Sequence, residues 1–451
     1  MKSHFLQYVA LAFLLALTPA MADTTPAFPI GAYSLPDGEI LVISDFGGSL
    51  RFFTQGGRTG SLVKTGQDRY EGSERHLHKD DSSHVLSRSD TGIQFQGPMG
   101  DLSLKPIALT SSDHHFTSGN NRLRGRLLTP ADGNFQGVVI PVHGSENFSA
   151  VDHYYLPYLL AANGLAVFVY DKRGTGKSQG KQISIQRGVK DLTELANDTA
   201  AAADFVASQP SLASQPILLA GYSQGGWVAP IASLLSTNID ALILAYGPAV
   251  SLHAEDRWGY AYWMEREAYP TQDIAQADTL NEILMDMLSS GSTDRWHEFK
   301  EHLKRYRDEP WYKENALGGT DSTLAAVLDS PAPLSLVYLW ASVFGFDPYE
   351  NYEPAETLEK LVAPSYWLFA GEDSSMPTPG SIDQLSRLAA QGQPIEYKVY
   401  PDTEHGLVQF KTLSPRERQA TSYHPEYFDD MVGWLKERAK KTVTTSSNEP
   451  I

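Results

Sequence analysis

The sequence predicts an α/β fold: a mostly parallel sheet covered by helices, carrying a helical insertion and preceded by a small β-rich domain. Three observations carry this. Continuous apolar runs, "GVVIPVHG" (137–144), "LAVFVYD" (165–171), "PILLAGYS" (216–223) and "ALILAYGPA" (241–249), alternate with helical stretches, the pattern of strands buried on both faces. The alternation stops over 251–350 and resumes at "APSYWLFAGEDSSMP" (363–377) and "IEYKVYPDTEHG" (395–406). Ahead of residue 113 it is absent, and short strands follow one another across turn dipeptides.

Taken in chain order, residues 1–22 read as a secretory leader. Lys2 precedes the apolar stretch "FLQYVALAFLLAL", and Ala20-Met21-Ala22 has the small-x-small form of a cleavage site, leaving Asp23 first. The stretch is short for a membrane span and Pro19 follows it. The expected location is therefore the bacterial periplasm or medium. The 451 residues include no cysteine, so disulfides, thiol chemistry and Cys-ligated metals are excluded. The formal charge of −18, one unit more negative without Lys2, repels phosphate backbones and anionic lipid. Nucleic acid and membrane surfaces are poor partners for such a chain, and no stable membrane insertion is expected after cleavage.

Residues 23–112 are expected to form the β-rich domain, with strands at "EILVIS" (39–44), "SLRFFT" (49–54), "GSLVKT" (60–65) and "TGIQFQ" (91–96). His76, His78, His84, His114 and His115 fall in or just after it. No carboxylate stands at a spacing that completes a metal set, so these are expected to be surface histidines and no metal site is assigned.

Residues 113–440 carry the α/β alternation, and 441–451 a polar, flexible tail. After the strand at 165–171 comes "YDKRGTGKSQG", which ends like a phosphate-binding loop. In that loop a glycine must stand five residues before the glycine of Gly-Lys-Ser, where the backbone aims its N–H groups at phosphate. Asp171 stands there instead and would place negative charge at the turn. A nucleotide site is excluded on that position.

The sharpest chemical signal is "LLAGYSQGGWVAP". Gly221-Tyr222-Ser223-Gln224-Gly225 is G-x-S-x-G between an apolar strand and a helix, the setting of a nucleophile elbow. Gly221 and Gly225 are required where a β-carbon would collide with the neighbouring strand or helix. Serine needs a base to take its proton, and the base needs an orienting carboxylate. On a site of this kind the chain order is Ser, acid, His. Asp373 ends the strand "SYWLFAG", and His405 follows the next strand, after room for one helix. Glu372, Asp402, Glu404 and Asp256 are rival carboxylates. For the oxyanion, the backbone N–H of Gln224 supplies one donor, and that of Ser145, in the loop after "GVVIPV", the second. His143 is expected to brace that loop.

From about 117 to 440 the chain resembles the α/β-hydrolase superfamily, matched by "PVHGS", "VYDKRGTGKS", "GYSQGGWVAP", "GEDSSMP" and "EHG". It is similar to the bacterial serine aminopeptidase-like and dienelactone-hydrolase-like subgroup. The resemblance implies that the Asp171–Ser178 stretch is a structural turn, pinned by Asp171 and Arg173. It also implies an N-terminal β domain and a helical cap, here about 251–350. Pro230, inside the helix after Ser223, departs from good helix chemistry because it removes an intrahelical bond.

The expected activity is hydrolysis of carboxylic esters with small or medium acyl groups, through Ser223, His405 and Asp373 and without a cofactor. Cap aromatics, among them Trp258, Tyr260, Tyr262, Trp263, Trp296 and Trp311, suggest an apolar roof shared with the cap's own core. A serine peptidase of aminopeptidase type is the alternative, with Glu265 and Glu267 as candidates for a substrate amine, although a solvated helix face explains both as well. A non-catalytic binding protein on a hydrolase scaffold is the third reading.

Overall fold

The structure is a computed structural model and describes residues 30–446 apart from 47–48, 75–83, 90–91, 184–187, 291–293, 307 and 315–349. The leader expected over 1–22, His76, His78 and cap residues 315–349 lie outside the described residues.

Eight antiparallel strands close into a barrel: β1 Gly31–Ser34, β2 Ile40–Phe46, β3 Ser49–Thr54, β4 Thr59–Gly66, β5 Arg69–Glu74, β6 His84–Ser89, β7 Gly92–Gly97 and β8 Gly100–Pro106. β1 pairs with β2 on one side and with β8 on the other, Tyr33 opposite Pro106, so the sheet has no free edge. Strand alternation gives β2 two duties. Leu41 and Ile43 fill the barrel with Phe52, Leu62, Leu86 and Phe95. Ile40 and Val42 belong instead to the core of the following domain, with Leu156, Leu160 and Phe428. Phe53 stacks on Tyr155 at 3.7 Å between ring centroids and extends that seam.

His84 corrects the expectation of surface histidines. It alternates with Leu86 on the inward face of β6 and is fully buried, its ring 4.9 Å from Phe52 and 5.2 Å from Phe95. Its Nε2 lies 3.2 Å from Glu74 Oε1. Burial pushes its pKa below the ordinary histidine value against the opposing pull of Glu74.

The second body begins with β9 Leu109–Ser118 and β10 Asn121–Pro130, a few residues before the boundary expected at 113. Further strands are β11 Val138–Val142, β12 Ala166–Tyr170, β13 Ile217–Tyr222, β14 Ala241–Ala245, β15 Ser365–Ala370 and β16 Ile395–Tyr400. The sheet order is β16-β15-β14-β13-β11-β12-β10-β9, parallel from β16 to β12 and antiparallel at β10 and β9. Among the described residues the helices are α1 Ala150–His153, α2 Leu156–Ala162, α3 Val189–Ser208, α4 Gly225–Leu235, α5 Leu252–Arg266, α6 Thr271–Ser290, α7 Trp296–Tyr306, α8 Pro310–Glu314, α9 Pro354–Glu359, α10 Thr378–Ala390 and α11 Tyr427–Ser446. Along β13 the buried side chains alternate between two cores. Leu219 packs with residues of α3 and α4, and Leu218 and Ala220 pack with residues of α2 and α11. That two-sided burial is why the strand reads as an unbroken apolar run. Helix α11 continues to Ser446, past the tail boundary expected at 441. Pro230 is accommodated inside α4, where it is buried.

One feature was not expected from the sequence, and one follows the expected pinning by Asp171 and Arg173. A small sheet of β17 Thr403–Glu404, β18 Val408–Ser414 and β19 Glu417–Tyr423 follows β16. The glycine-rich loop after β12 is organised around a carboxylate. Asp171 is fully buried and accepts hydrogen bonds from Ser149 Oγ (2.7 Å), Val151 N–H (3.0 Å) and Lys177 N–H (3.2 Å), with Arg124 at 3.6 Å. Arg173 pairs with Asp198 at 2.7 Å and with Glu194 at 2.5 Å. A β-carbon on Gly176, whose φ is +53°, would lie 2.2 Å from Asp171 Oδ2. The carboxylate thus fills the hollow that a phosphate would need.

Asp171→Ala should cost about 3 kcal/mol in urea unfolding, because it leaves buried donors and Arg124 uncompensated. Lys177→Ala, at an exposed position, should change stability by less than about 0.5 kcal/mol. A nucleotide-dependent rise in Tm that disappears in Lys177→Ala would overturn the structural reading of this loop.

Candidate active site

Ser223 follows β13 directly and precedes α4. Its φ of +51° lies in the left-handed region that a residue with a β-carbon rarely adopts. Its N–H donates to Ala245 O (3.1 Å), and its own carbonyl accepts from Gly226 N–H (2.7 Å). The turn is possible because its neighbours lack side chains. A β-carbon on Gly221 would lie 2.6 Å from Gly225 O, and one on Gly225 would lie 2.3 Å from Val142 O. Gly226 and Gly247 approach each other closely enough that neither tolerates a β-carbon.

The structure brings Ser223, His405 and Asp373 together. Ser223 Oγ lies 3.1 Å from His405 Nε2, and His405 Nδ1 lies 2.9 Å from Asp373 Oδ2. A carboxylate only accepts, so Nδ1 carries the proton and Nε2 is left free to receive one from serine. Asp373 is 1 % exposed, and its Oδ1 accepts the N–H groups of Ser375 (2.9 Å) and Met376 (2.8 Å). Burial lowers the pKa of His405, but the Asp373 carboxylate, then Glu404 and Glu146, outweigh it, and the net pKa is above the ordinary value. Tyr246, itself at φ +42°, sets its ring edge-on to His405 at 5.1 Å.

Gln224 begins α4, where N–H groups have no intrahelical partner. The loop holding Ser145 lies against the nucleophile: a β-carbon on Gly144 would be 3.1 Å from Ser223 Cβ. Two bonds from the β12 segment fix that loop. His143 Nε2–H donates to Tyr170 O at 2.5 Å, and Lys172 Nζ donates to Gly144 O at 2.7 Å. His143 is therefore a brace, as its position suggests. Burial, and then the Lys172 charge, push its pKa down to about 3. Burial likewise lowers Lys172 to about 8.

The rival carboxylates have other partners. Glu372 accepts from Arg266 Nη1 and Arg418 Nη2, each at 2.8 Å, and Asp402 is exposed. Glu404 bonds Arg418, and its Oε1 takes the N–H groups of Ser374 (2.6 Å) and His405 (3.0 Å). Asp256 sits on α5 beside Glu255. Burial raises the pKa of Asp256 to about 6, and burial with the charges of Asp256 and Asp373 raises that of Glu255 well above the carboxylate range. Of the two glutamates considered for a substrate amine, Glu265 is exposed and Glu267 pairs with Arg416.

The cap aromatics divide by role. Trp311 packs with Met264, Ala277 and Tyr306, and Trp296 packs against Phe299, so both belong to the cap's own core. Trp258 Nε1–H donates to Asp373 O at 2.8 Å, and Tyr262 O–H donates to Glu372 Oε2 at 3.0 Å, tying α5 to the acid loop. Sequence reading missed Glu146 and Arg418, and weighed Glu404 only as a rival for the catalytic acid. The alternation of "VQFKTLS" and "ERQATSY" about Pro415-Arg416 was the available signal for the hairpin that carries Arg418. Among the described residues no group of three or more His, Asp or Glu has metal-ligand geometry, and no helix is long and apolar enough to cross a membrane.

A serine on a left-handed turn after a central strand of a mostly parallel sheet, with aspartate and histidine delivered from the ends of later strands, is the arrangement of the α/β-hydrolase fold, and this chain has that fold. Residues 133–320 match the family model described as "Serine aminopeptidase, S33". A monoacylglycerol lipase of Mycolicibacterium smegmatis is 31 % identical over 150 residues, 33 % of this chain and 50 % of that protein. The chain thus spans half the length of that curated relative. A thiohydrolase of Aspergillus aculeatus is 24 % identical over 300 residues, 64 % of this chain and 84 % of that protein. Among solved structures, an esterase of Pyrococcus furiosus aligns with a TM-score of 0.43 at 15 % identity, covering 74 % of this chain and 92 % of that one.

His143 allows a test of the braced loop. Its folded pKa lies below the unfolded one, so between pH 6.5 and 3 the unfolded chain binds a proton there that the folded chain does not. Stability from this site is present above pH 6.5 and is lost as pH falls. His143→Gln, which keeps an N–H donor for Tyr170 O, should flatten the acid limb of stability against pH by up to about one proton, read from urea unfolding at pH 4 to 7.

Proposed function

We propose that the protein is an exported serine hydrolase that cleaves carboxylic esters of small or medium acyl groups. The observation that carries the reading is the unbroken relay from Asp373 through His405 to Ser223, on a serine whose backbone is held in a strained turn. His405 Nε2 takes the Ser223 proton as Oγ bonds to the carbonyl carbon. The negative oxygen that forms is held by the N–H groups of Gln224 and Ser145. Collapse breaks the bond to the leaving alcohol, whose oxygen receives the proton from His405. Water, deprotonated by the same imidazole, then releases the acid and frees Ser223.

The ester reading draws on the monoacylglycerol lipase relative and on the aromatic side chains that α5 sets beside the acid loop. Export draws on the leader expected over 1–22, and places the enzyme in the periplasm or medium of a bacterium. No cofactor enters the chemistry.

A second reading, cleavage of amides next to a free amine, has specific support. The family description is one source. The other is Glu255 and Asp256, on the cap helix that binds the acid loop, with Glu255 within electrostatic reach of Asp373. A substrate ammonium beside them would favour their ionised forms, which burial otherwise opposes.

Purified protein should turn over p-nitrophenyl acyl esters and be labelled by a fluorophosphonate probe. Ser223→Ala should abolish both, and Asp373→Asn should lower kcat by about 10⁴-fold. The base must be neutral, so kcat/KM should rise with pH through one ionisation above 6.5. Turnover of aminoacyl-p-nitroanilides alone would favour the second reading, and absence of labelling on folded protein would favour a non-catalytic scaffold.

A further inference from the structure

The most connected charged side chain near the site is Arg418 on β19, which sequence reading did not single out. Its side chain is 5 % exposed. Nη1 donates to Glu372 O at 2.7 Å and to the Glu404 carboxylate, and Nη2 donates to Glu372 Oε2 at 2.8 Å and to the Tyr262 hydroxyl. The guanidinium lies over the Phe410 ring at 4.1 Å, with Tyr262 and Trp263 at 5.3 and 5.4 Å. One planar group therefore joins three separate pieces of chain: the loop ending in Asp373, the loop ending in His405, and cap helix α5. Its partners stand one residue before each catalytic group, Glu372 before Asp373 and Glu404 before His405. Glu404 completes the link, because its second oxygen bonds the N–H of Ser374 in one loop and of His405 in the other.

We infer that Arg418 is a positioning residue that locks the aspartate and histidine loops in register and cancels the Glu404 charge beside His405. Without it, Glu404 would remain an uncompensated anion next to the imidazole. The other groups around His405 are Asp373 from the β15–α10 loop, Glu146 from the β11–α1 loop and Tyr246 after β14, with Glu255 of α5 acting on Asp373. All of the charged ones are carboxylic acids. Lys172 lies beyond Glu146, and Arg266 beyond Glu372. Among the described residues Arg418 is thus the cation tied directly to the histidine loop, and the base strength of His405 depends on it.

This inference rests on the serine-hydrolase reading for its consequence in turnover, but its test has a readout of its own. The probe is the His405 imidazole titrated by NMR in ¹³C-histidine-labelled protein, with the resonance assigned by its absence in His405→Gln. Arg418→Met keeps the apolar contacts with Phe410 and Tyr262 and removes the charge. It should raise the His405 pKa by roughly one pH unit. Glu404→Gln should lower it by a similar amount, and the double variant should return it to within a few tenths of a unit of the parent. The acid limb of kcat/KM for p-nitrophenyl butyrate should move by the same amounts. Arg418→Lys retains charge without the fork, so it should hold the pKa near the parent value while lowering kcat. This variant and Glu404→Gln keep the test decisive should Arg418→Met fail to fold. An Arg418→Met protein that loses stability or rate uniformly across pH, with the His405 pKa unmoved, would reduce Arg418 to a structural strut and overturn the inference. A parent protein whose His405 responds as described but which turns over no ester would instead sink the function proposed above.

Discussion

Everything at the site depends on one backbone constraint, the left-handed turn at Ser223. A residue with a β-carbon in that conformation stores on the order of 1–3 kcal/mol, and the strain survives because the surroundings leave no alternative. Gly221 and Gly225 let the turn press against Val142, and Gly226 meets Gly247 nearly backbone to backbone. The same closeness lifts Oγ above the sheet and directs the first N–H groups of α4 past it. Nucleophile exposure, strand–helix approach and donor geometry are one arrangement.

Around that turn the charges are ordered in layers. The innermost is Ser223, His405 and Asp373, where the carboxylate sets the tautomer. Outside it lie Glu404, Glu372 and Glu146, a ring of acids in a protein already strongly acidic overall. Glu404 and Glu146 favour the charged form of the histidine, a pull that nearby positive charge offsets. Arg418, Arg266 and Lys172 stand where that balance is needed. The two loops, the hairpin and the cap are therefore electrostatically one assembly.

Local chemistry made much of this legible in the sequence. Unbroken apolar runs announced β11 to β15, because a strand buried on both faces has no polar side to show. G-x-S-x-G marked the turn because only glycine allows the approaches seen there, and strand-end placement singled out Asp373 and His405. Asp171 gave away the false phosphate loop. What stayed hidden was non-local. Barrel closure pairs Tyr33 with Pro106, and the intervening β5, "RYEGSE", offers Tyr70 as its one buried apolar residue. His84 looked like any polar residue until the register of β6 turned it inward. The burial of Glu255 and Asp256 was hidden because it depends on which side of α5 meets the rest of the protein. Arg418 was invisible because its partners come from three distant segments.

β2 has a further consequence. Its odd-numbered positions, Leu41 and Ile43, complete one core, while Ile40 and Val42 complete another. The barrel is for that reason no detachable appendage. Trimming the chain back to residue 107 would bare greasy surface on α2 and α11, and a barrel made alone would carry the matching wound. The two bodies share buried side chains, so they should melt as one unit.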